Sequence, residues 1–364
     1  MSIRQSSPLI ALNSRFDGPV VGFPQRVSTF ALRLPGDVAM LLGAARAHRL
    51  GITGQGIRVV MIDTGLDASH PHYVEYGYRV SVELAPGAAD PEKDEVGHGT
   101  AEAACLLAVA PDAEVTMIKV AGINESMVGA TLLGALERAK ELQPHIVSIS
   151  VAHDLRSEGS DDPLKHKTSL PSSLGSEAAV IRELVAAGIP VVASAGNGQA
   201  AFPGMMPEVI SAGGVFVSFN GSMMASDYAS AYESRIFRDR HVPDLSGLCG
   251  PDNALIKRGR YILLPCPPGS RLDANGADGT GQGEGWALAS GTSAAAPQIA
   301  GAVALLLTRK PDLTPAAVRD LLMSTARPVT AGRGNAASND GSALEAPAAV
   351  GAGLLNVWAA LQEL

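Results

Sequence analysis

An α/β fold is predicted by this sequence, with a mostly parallel central sheet and helices on both faces. Strand-like and helix-like segments alternate along the 364 residues, the order that places crossover helices between parallel strands. The first strand-like run is apolar and β-branched over Val59-Val60-Met61-Ile62, which marks a buried parallel strand. Several helix-like segments carry Gly or Pro at their ends.

Strands are predicted over 57–63, 114–120, 145–151 and 189–195. The first is β-branched and apolar and ends on a carboxylate and a glycine turn. Helices are predicted over 97–108, 126–142, 176–188, 292–309 and 314–325. No internal repeat is present. Residues 1–44, a polar loop at 154–176 and a Gly-, Pro- and Asp-rich region at 220–288 fall outside this pattern. Specificity or regulation is expected there, because binding loops ride on a rigid scaffold.

Three segments carry chemistry. Ala289-Ser290-Gly291-Thr292-Ser293-Ala294-Ala295-Ala296-Pro297 delivers one serine at the start of a long apolar helix. Backbone N–H groups and the positive end of the helix dipole then face whatever charge develops beside the hydroxyl, which suits a nucleophile for acyl transfer. Read alone, it is most often a plain N-cap. Ile57 to Gly65 sets Asp63 at the carboxyl end of a buried strand, where α/β proteins place their chemistry; alone, Asp63 is a turn or capping aspartate. Gly97-His98-Gly99-Thr100 opens the apolar helix of Ala101–Ala108. Its glycines let backbone or substrate approach the imidazole closely.

Together these segments resemble the subtilase family of serine peptidases, whose motifs run in the order Asp, His, Ser. Ile52-Thr53-Gly54-Gln55-Gly56 and His70-Pro71 are similar to the family's segments around the aspartate strand. Val191-Val192-Ala193-Ser194-Ala195-Gly196-Asn197 is similar to its oxyanion-hole strand, and Phe202-Pro203 and Pro207-Glu208-Val209-Ile210 to the segment that follows. Leu313-Thr314-Pro315, Val318-Arg319 and Gly351-Ala352-Gly353-Leu354-Leu355-Asn356 resemble its closing elements. The resemblance covers roughly residues 45 to 364. It implies a subtilisin-like three-layer fold and two regions, a peptidase domain at 45–364 and an N-terminal extension at 1–44.

The resemblance also implies roles. Ser293 would be the nucleophile and His98 the general base, with an unperturbed pKa of about 6.5. Asp63 would hold the His98 tautomer. Asn197, otherwise a turn residue, would donate to the oxyanion with the Ser293 N–H. Ser150, Val151 and Ala152 would bind an extended peptide substrate as an added strand. Ala152-His153 replaces the family's usual Gly-Gly, a change that reshapes the primary pocket. Asp154, Glu158, Asp161 and Asp162 read either as a solvated acidic loop or as selectors of a basic substrate residue.

No cofactor or metal is expected. The path from His98 to Val115 is too short for the calcium loop that some members insert. Asp273, Asp278 and Glu284 read as solvated loop residues, and His70 and His72 as turn or cleft-rim residues rather than a zinc pair. Residues 1–44 are too short for the usual folded prodomain. They resemble the brief extensions of intracellular subtilases and are expected to block or prop the cleft.

The composition fits. A formal charge of −8 argues against nucleic acid or anionic membrane as the main partner. No signal-peptide h-region and no apolar run of about 20 residues is present, so the cytoplasm is the expected compartment. Cys105, Cys249 and Cys266 lack metal-type spacing. Cys105 reads as a small buried hydrophobe, and Cys249 and Cys266 as reduced thiols rather than a pair. Three readings remain: an endopeptidase, a processing enzyme or transpeptidase whose acyl-enzyme is resolved by an amine, and a peptide-binding pseudo-enzyme.

Overall fold

The computed structural model describes residues 31–120, 129–156, 167–251, 259–275, 280–334 and 344–364. Expectations resting on residues 1–30, Glu158, Asp161, Asp162 and Asp278 lie outside the described residues.

The predicted alternation folds into a nine-stranded sheet. Seven strands form its main path: β1 (Arg58–Asp63), β2 (Arg79–Leu84), β3 (Glu114–Lys119), β4 (Ile146–Ile149), β5 (Val191–Ser194), β6 (Ile210–Ser218) and β7 (Met223–Ala225). Their spatial order is β7-β6-β5-β4-β1-β3-β2, parallel except for β7. The order reverses after β1, so its carboxyl end opens onto a crevice.

Five helices correspond to the predicted ones: α1 (His98–Val109), α2 (Gly129–Leu142), α3 (Gly175–Ala186), α4 (Thr292–Arg309) and α5 (Pro315–Ser324). Side chains of β1 alternate between two cores. Val59 and Met61 join α1 and α4 in one apolar cluster, while Val60 and Ile62 join α2 and α3 in the other. The result is the three-layer arrangement expected from continuous apolar strands.

The structure differs from the sequence reading at several elements, among them β2, which falls outside the predicted strands. The strand β6 was not expected, because Gly213-Gly214 at its centre reads as a turn. Its neighbours require those glycines: a Cβ on Gly213 would lie 2.4 Å from Pro243 Cγ, and one on Gly214 2.5 Å from Cys249 Sγ. The region 220–288 is less irregular than its composition implies. Ile262–Pro265 and Trp286–Ala289 pair as antiparallel strands across a long loop, a pairing that no local period reveals.

Residues 32–44, grouped with the N-terminal extension on sequence grounds, pack with the peptidase core. Leu32–Arg33 pairs with Ile262–Leu263, and Leu34, Val38, Leu42 and Ala44 are buried in the α1–α4 cluster. Their apolar positions are too widely scattered to read as a strand or helix.

The helices α1 and α4 cross at Gly301, where a Cβ would lie 2.8 Å from both Leu106 O and Val109 Cβ. Gly301→Ala is therefore expected to lower the unfolding free energy by about 1–3 kcal/mol. Overpacking outweighs the roughly 1 kcal/mol that alanine gains in a helix, and denaturant unfolding reads the difference.

Candidate active site

Asp63 ends β1 fully buried. Its Oδ1 accepts the Thr64 N–H at 2.7 Å and contacts His98 Nδ1 at 2.7 Å. This bond assigns the proton to Nδ1 and leaves Nε2 as the reactive nitrogen. A Cβ on Gly99 would lie 2.1 Å from Gly65 O. Only glycine lets the first turn of α1 rest on the end of β1 and bring His98 to Asp63.

The start of α1 is held by Asp94, a residue that the sequence reading did not single out. Its Oδ1 accepts from Thr64 Oγ1 at 2.7 Å and from Gly97 N at 2.9 Å. Its Oδ2 accepts from Thr100 N at 2.9 Å and from Thr100 Oγ1 at 2.7 Å. Thr64 Oγ1 in turn accepts from Gly99 N at 2.9 Å. This network pins His98 at the helix N-terminus, after a Gly97 whose φ of 88° suits glycine.

Ser293 lies in the first turn of α4, whose amides have no acceptor within the helix. Pro297 lacks the N–H that would bond Ser293 O. Ser150 Oγ fills that place, donating to Ser293 O at 3.0 Å. The end of the predicted substrate strand is thus tied to the serine. Beyond it Val151 is buried in the second core and Ala152 is exposed.

Asn197 is exposed at the turn after β5. Its Oδ1 accepts from Thr292 N at 2.8 Å and from Thr292 Oγ1 at 2.9 Å. A backbone donor on Oδ1 fixes the amide orientation, leaving Nδ2 to donate. A Cβ on Gly291 would lie 2.8 Å from Ser293 Oγ and 3.6 Å from Asn197 Nδ2. Glycine keeps open the space beside both atoms.

Asp63, His98, Ser293 and Asn197 are thus brought together, with one departure from the expected contacts. No hydrogen bond joins Ser293 Oγ to His98 Nε2 among the described residues. Beside them stands the Glu102 carboxyl, whose Oε1 lies 3.5 Å from His98 Nε2 and whose charged form the nearby Ser293 hydroxyl favours. Glu102 escaped the sequence reading, although it is the one charged residue after His98 in the apolar run Ala101–Val109. Its spacing of four from His98 places the two on one helix face.

His98 is pulled down by burial, but the charge and hydrogen bond of Asp63, with Glu102 and Asp94 behind, raise it well above the ordinary histidine value. Glu102 is pushed up to about 8, chiefly by burial and further by Asp63, with His98 and Ser293 opposing.

Other expected features resolve as structural. His70 accepts from His72 N at 3.2 Å and contacts Gly285 O at 2.9 Å, and both histidines pack edge-on against Trp286. Asp273 is not solvated: it is buried and accepts the N–H groups of Gly269, Gly283 and Gly285. Loop closure on three backbone donors is not visible from carboxylate spacing. Asp154 is engaged by Arg156 at 2.7 Å, and His153 faces Glu177 at 3.2 Å. All three cysteines are buried and unbridged.

The Peptidase_S8 model, described as the subtilase family, matches residues 54–353. The chain belongs to the subtilase family. This subtilase is a serine-type peptidase. It is 26% identical over 313 residues to subtilisin amylosacchariticus of Bacillus subtilis subsp. amylosacchariticus, covering 82% of this chain and 67% of that protein. The subtilisin-like protease PopC of Myxococcus xanthus is 29% identical over 315 residues, covering 78% and 58%. In fold, the chain is similar to a lanthipeptide protease at a TM-score of 0.64 and 19% identity, covering 90% of this chain and 93% of that one. The prenylagaramide maturation protease PagA gives 0.58 and 19%, covering 88% and 97%. No helix among the described residues is long and apolar enough to cross a membrane.

Both His98 and Glu102 are raised, so over this range the folded chain binds more protons than the unfolded one. Stability from Glu102 is full below about 4.5 and is lost as the pH rises through about 8. Stability from His98 is full below about 6.5 and is lost at higher pH still. The thermal midpoint is therefore expected to fall between about pH 5 and 9, and Glu102→Gln to flatten the fall.

Proposed function

We propose that this subtilase is an endopeptidase that cleaves peptide bonds through Ser293, His98 and Asp63, with Asn197 in the oxyanion hole. The observation that carries this reading is the 2.7 Å contact of Asp63 with His98 Nδ1, facing a serine at the N-terminus of a buried helix. Ser293 Oγ attacks the scissile carbonyl carbon as its proton passes to His98 Nε2, and Asp63 stabilises the imidazolium. The tetrahedral oxyanion takes hydrogen bonds from Asn197 Nδ2 and the Ser293 N–H. His98 returns the proton to the leaving amine, and the acyl-enzyme is resolved by water through the same base.

The substrate lies as an added strand along Ser150, Val151 and Ala152. The Ser150–Ser293 bond supports this, since it ties the strand end to the nucleophile. Beside Ala152, His153 packs toward the buried Glu177 and the Phe202 ring. Where the family carries Gly-Gly, this chain thus sets Ala152 beside a histidine engaged by Glu177.

A fluorophosphonate probe tests the reading. It is expected to label the native chain at Ser293, located by peptide mass spectrometry, and to leave Ser293→Ala unlabelled. Equal labelling of both would refute it. Asn197→Ala is expected to lower kcat by about 10²- to 10³-fold with peptide substrates. Product mass then separates hydrolysis, which adds water, from transpeptidation, which does not.

A further inference from the structure

Glu102 has no part in the chemistry described so far, and its position calls for an account. It sits one turn beyond His98 on α1, with its side chain 4% exposed. One oxygen lies 3.5 Å from His98 Nε2, the nitrogen that must receive the nucleophile's proton. The Ser293 hydroxyl lies near the same carboxyl and favours its charged form. Its second oxygen is buried with no partner. A carboxyl in an otherwise apolar helix is costly to bury, and its half-satisfied state asks for a physical reason.

We propose that Glu102 is a positioning residue of the catalytic centre, whose carboxyl engages His98 Nε2, competes with the Ser293 hydroxyl for that nitrogen, and confines activity to alkaline conditions. The inference rests on the triad reading above. The groups facing Glu102 are Asp63 from β1, Tyr73 from the helix Pro71–Tyr76, Ser293 from α4, and His98 and Cys105 from its own helix, while Asp94 from the loop before α1 acts on His98. Three carboxyl groups therefore surround one imidazole.

Two consequences follow. While the Glu102–His98 pair retains its extra proton, Nε2 has no free lone pair and the serine cannot be deprotonated. When that proton leaves to solvent, Nε2 becomes a base able to accept the proton of Ser293. With a second carboxylate beside it, the imidazole releases its proton only at higher pH than one paired with Asp63 alone. The titration belongs to the pair, and replacing the acid with an amide lowers its midpoint whichever member carries the proton.

The test is the rate of fluorophosphonate labelling at Ser293 from about pH 5.5 to about pH 10, for the native chain, Glu102→Gln, Glu102→Leu and Ser293→Ala. Glu102→Gln keeps the shape of the side chain and removes only its charge, and Glu102→Leu removes its buried polar atoms; the second keeps the test open if the first does not fold. The native rate is expected to rise through a midpoint above neutrality. Both variants should shift that midpoint down by about one pH unit or more, and label on the order of ten times faster at pH 6.5. The pH profile is a readout that a merely structural role would leave in place. Midpoints that coincide, with Ser293 labelled normally, would overturn the role of Glu102 and leave the triad reading intact. Absence of labelling in every folded variant, or labelling that persists in Ser293→Ala, would overturn the triad reading and this proposal with it.

Discussion

The close approach of two apolar helices to each other and to the sheet is the constraint on which the rest of the site depends. Almost every residue of α1 and α4 is buried, so each must be accommodated on all sides. Small residues make this possible. Gly301 meets Leu106 and Val109, and a Cβ on Gly247 would lie 2.9 Å from Ala295. Helices held this tightly cannot slide, because a close-packed interior transmits a shift rather than absorbing it. Their N-termini, carrying His98 and Ser293, are consequently fixed beside the carboxyl end of β1.

Around His98 the same functional group plays three parts, and hydrogen bonding separates them. Asp94 accepts four bonds and is a structural clamp. Asp63 concentrates its contacts on one oxygen, which it shares between the Thr64 amide and the imidazole. Glu102 faces the opposite nitrogen of the ring and keeps one oxygen without a partner. A carboxylate saturated with donors is electrostatically settled. One with an unpartnered buried oxygen leaves its charge to be felt by its neighbours. The imidazole thus lies between two acids that pull in the same direction.

Backbone accounting explains several residues around the serine. Pro297 removes the partner of Ser293 O, and Ser150 supplies one from the neighbouring strand end. Thr292 fixes Asn197 by donating to its oxygen from two atoms. Each is a polar group that would otherwise be orphaned near the chemistry, and each repair orients a functional side chain.

Much of this was legible in the sequence. Elements with a strong local signature were placed to within a few residues, from β1 with its β-branched run to α4 with its small-residue start. Asp63, His98, Ser293 and Asn197 were legible because each sits in a short motif whose glycines and small residues are demanded by close approach. Their meeting is a property of the fold. Gly213-Gly214 reads as a turn until Pro243 and Cys249 are seen to press on β6. Residues 32–44 read as an appendage until their apolar side chains are found in the core. Glu102 was visible only as one acid among small apolar residues, and its helical spacing from His98 stated that the two share a face. Sequence determined which side chains each segment presents, because local periodicity and turn chemistry are short-ranged. Tertiary structure alone decided that the face of α1 bearing Glu102 would meet Ser293, because that contact spans segments about 190 residues apart and is set by how two helices pack.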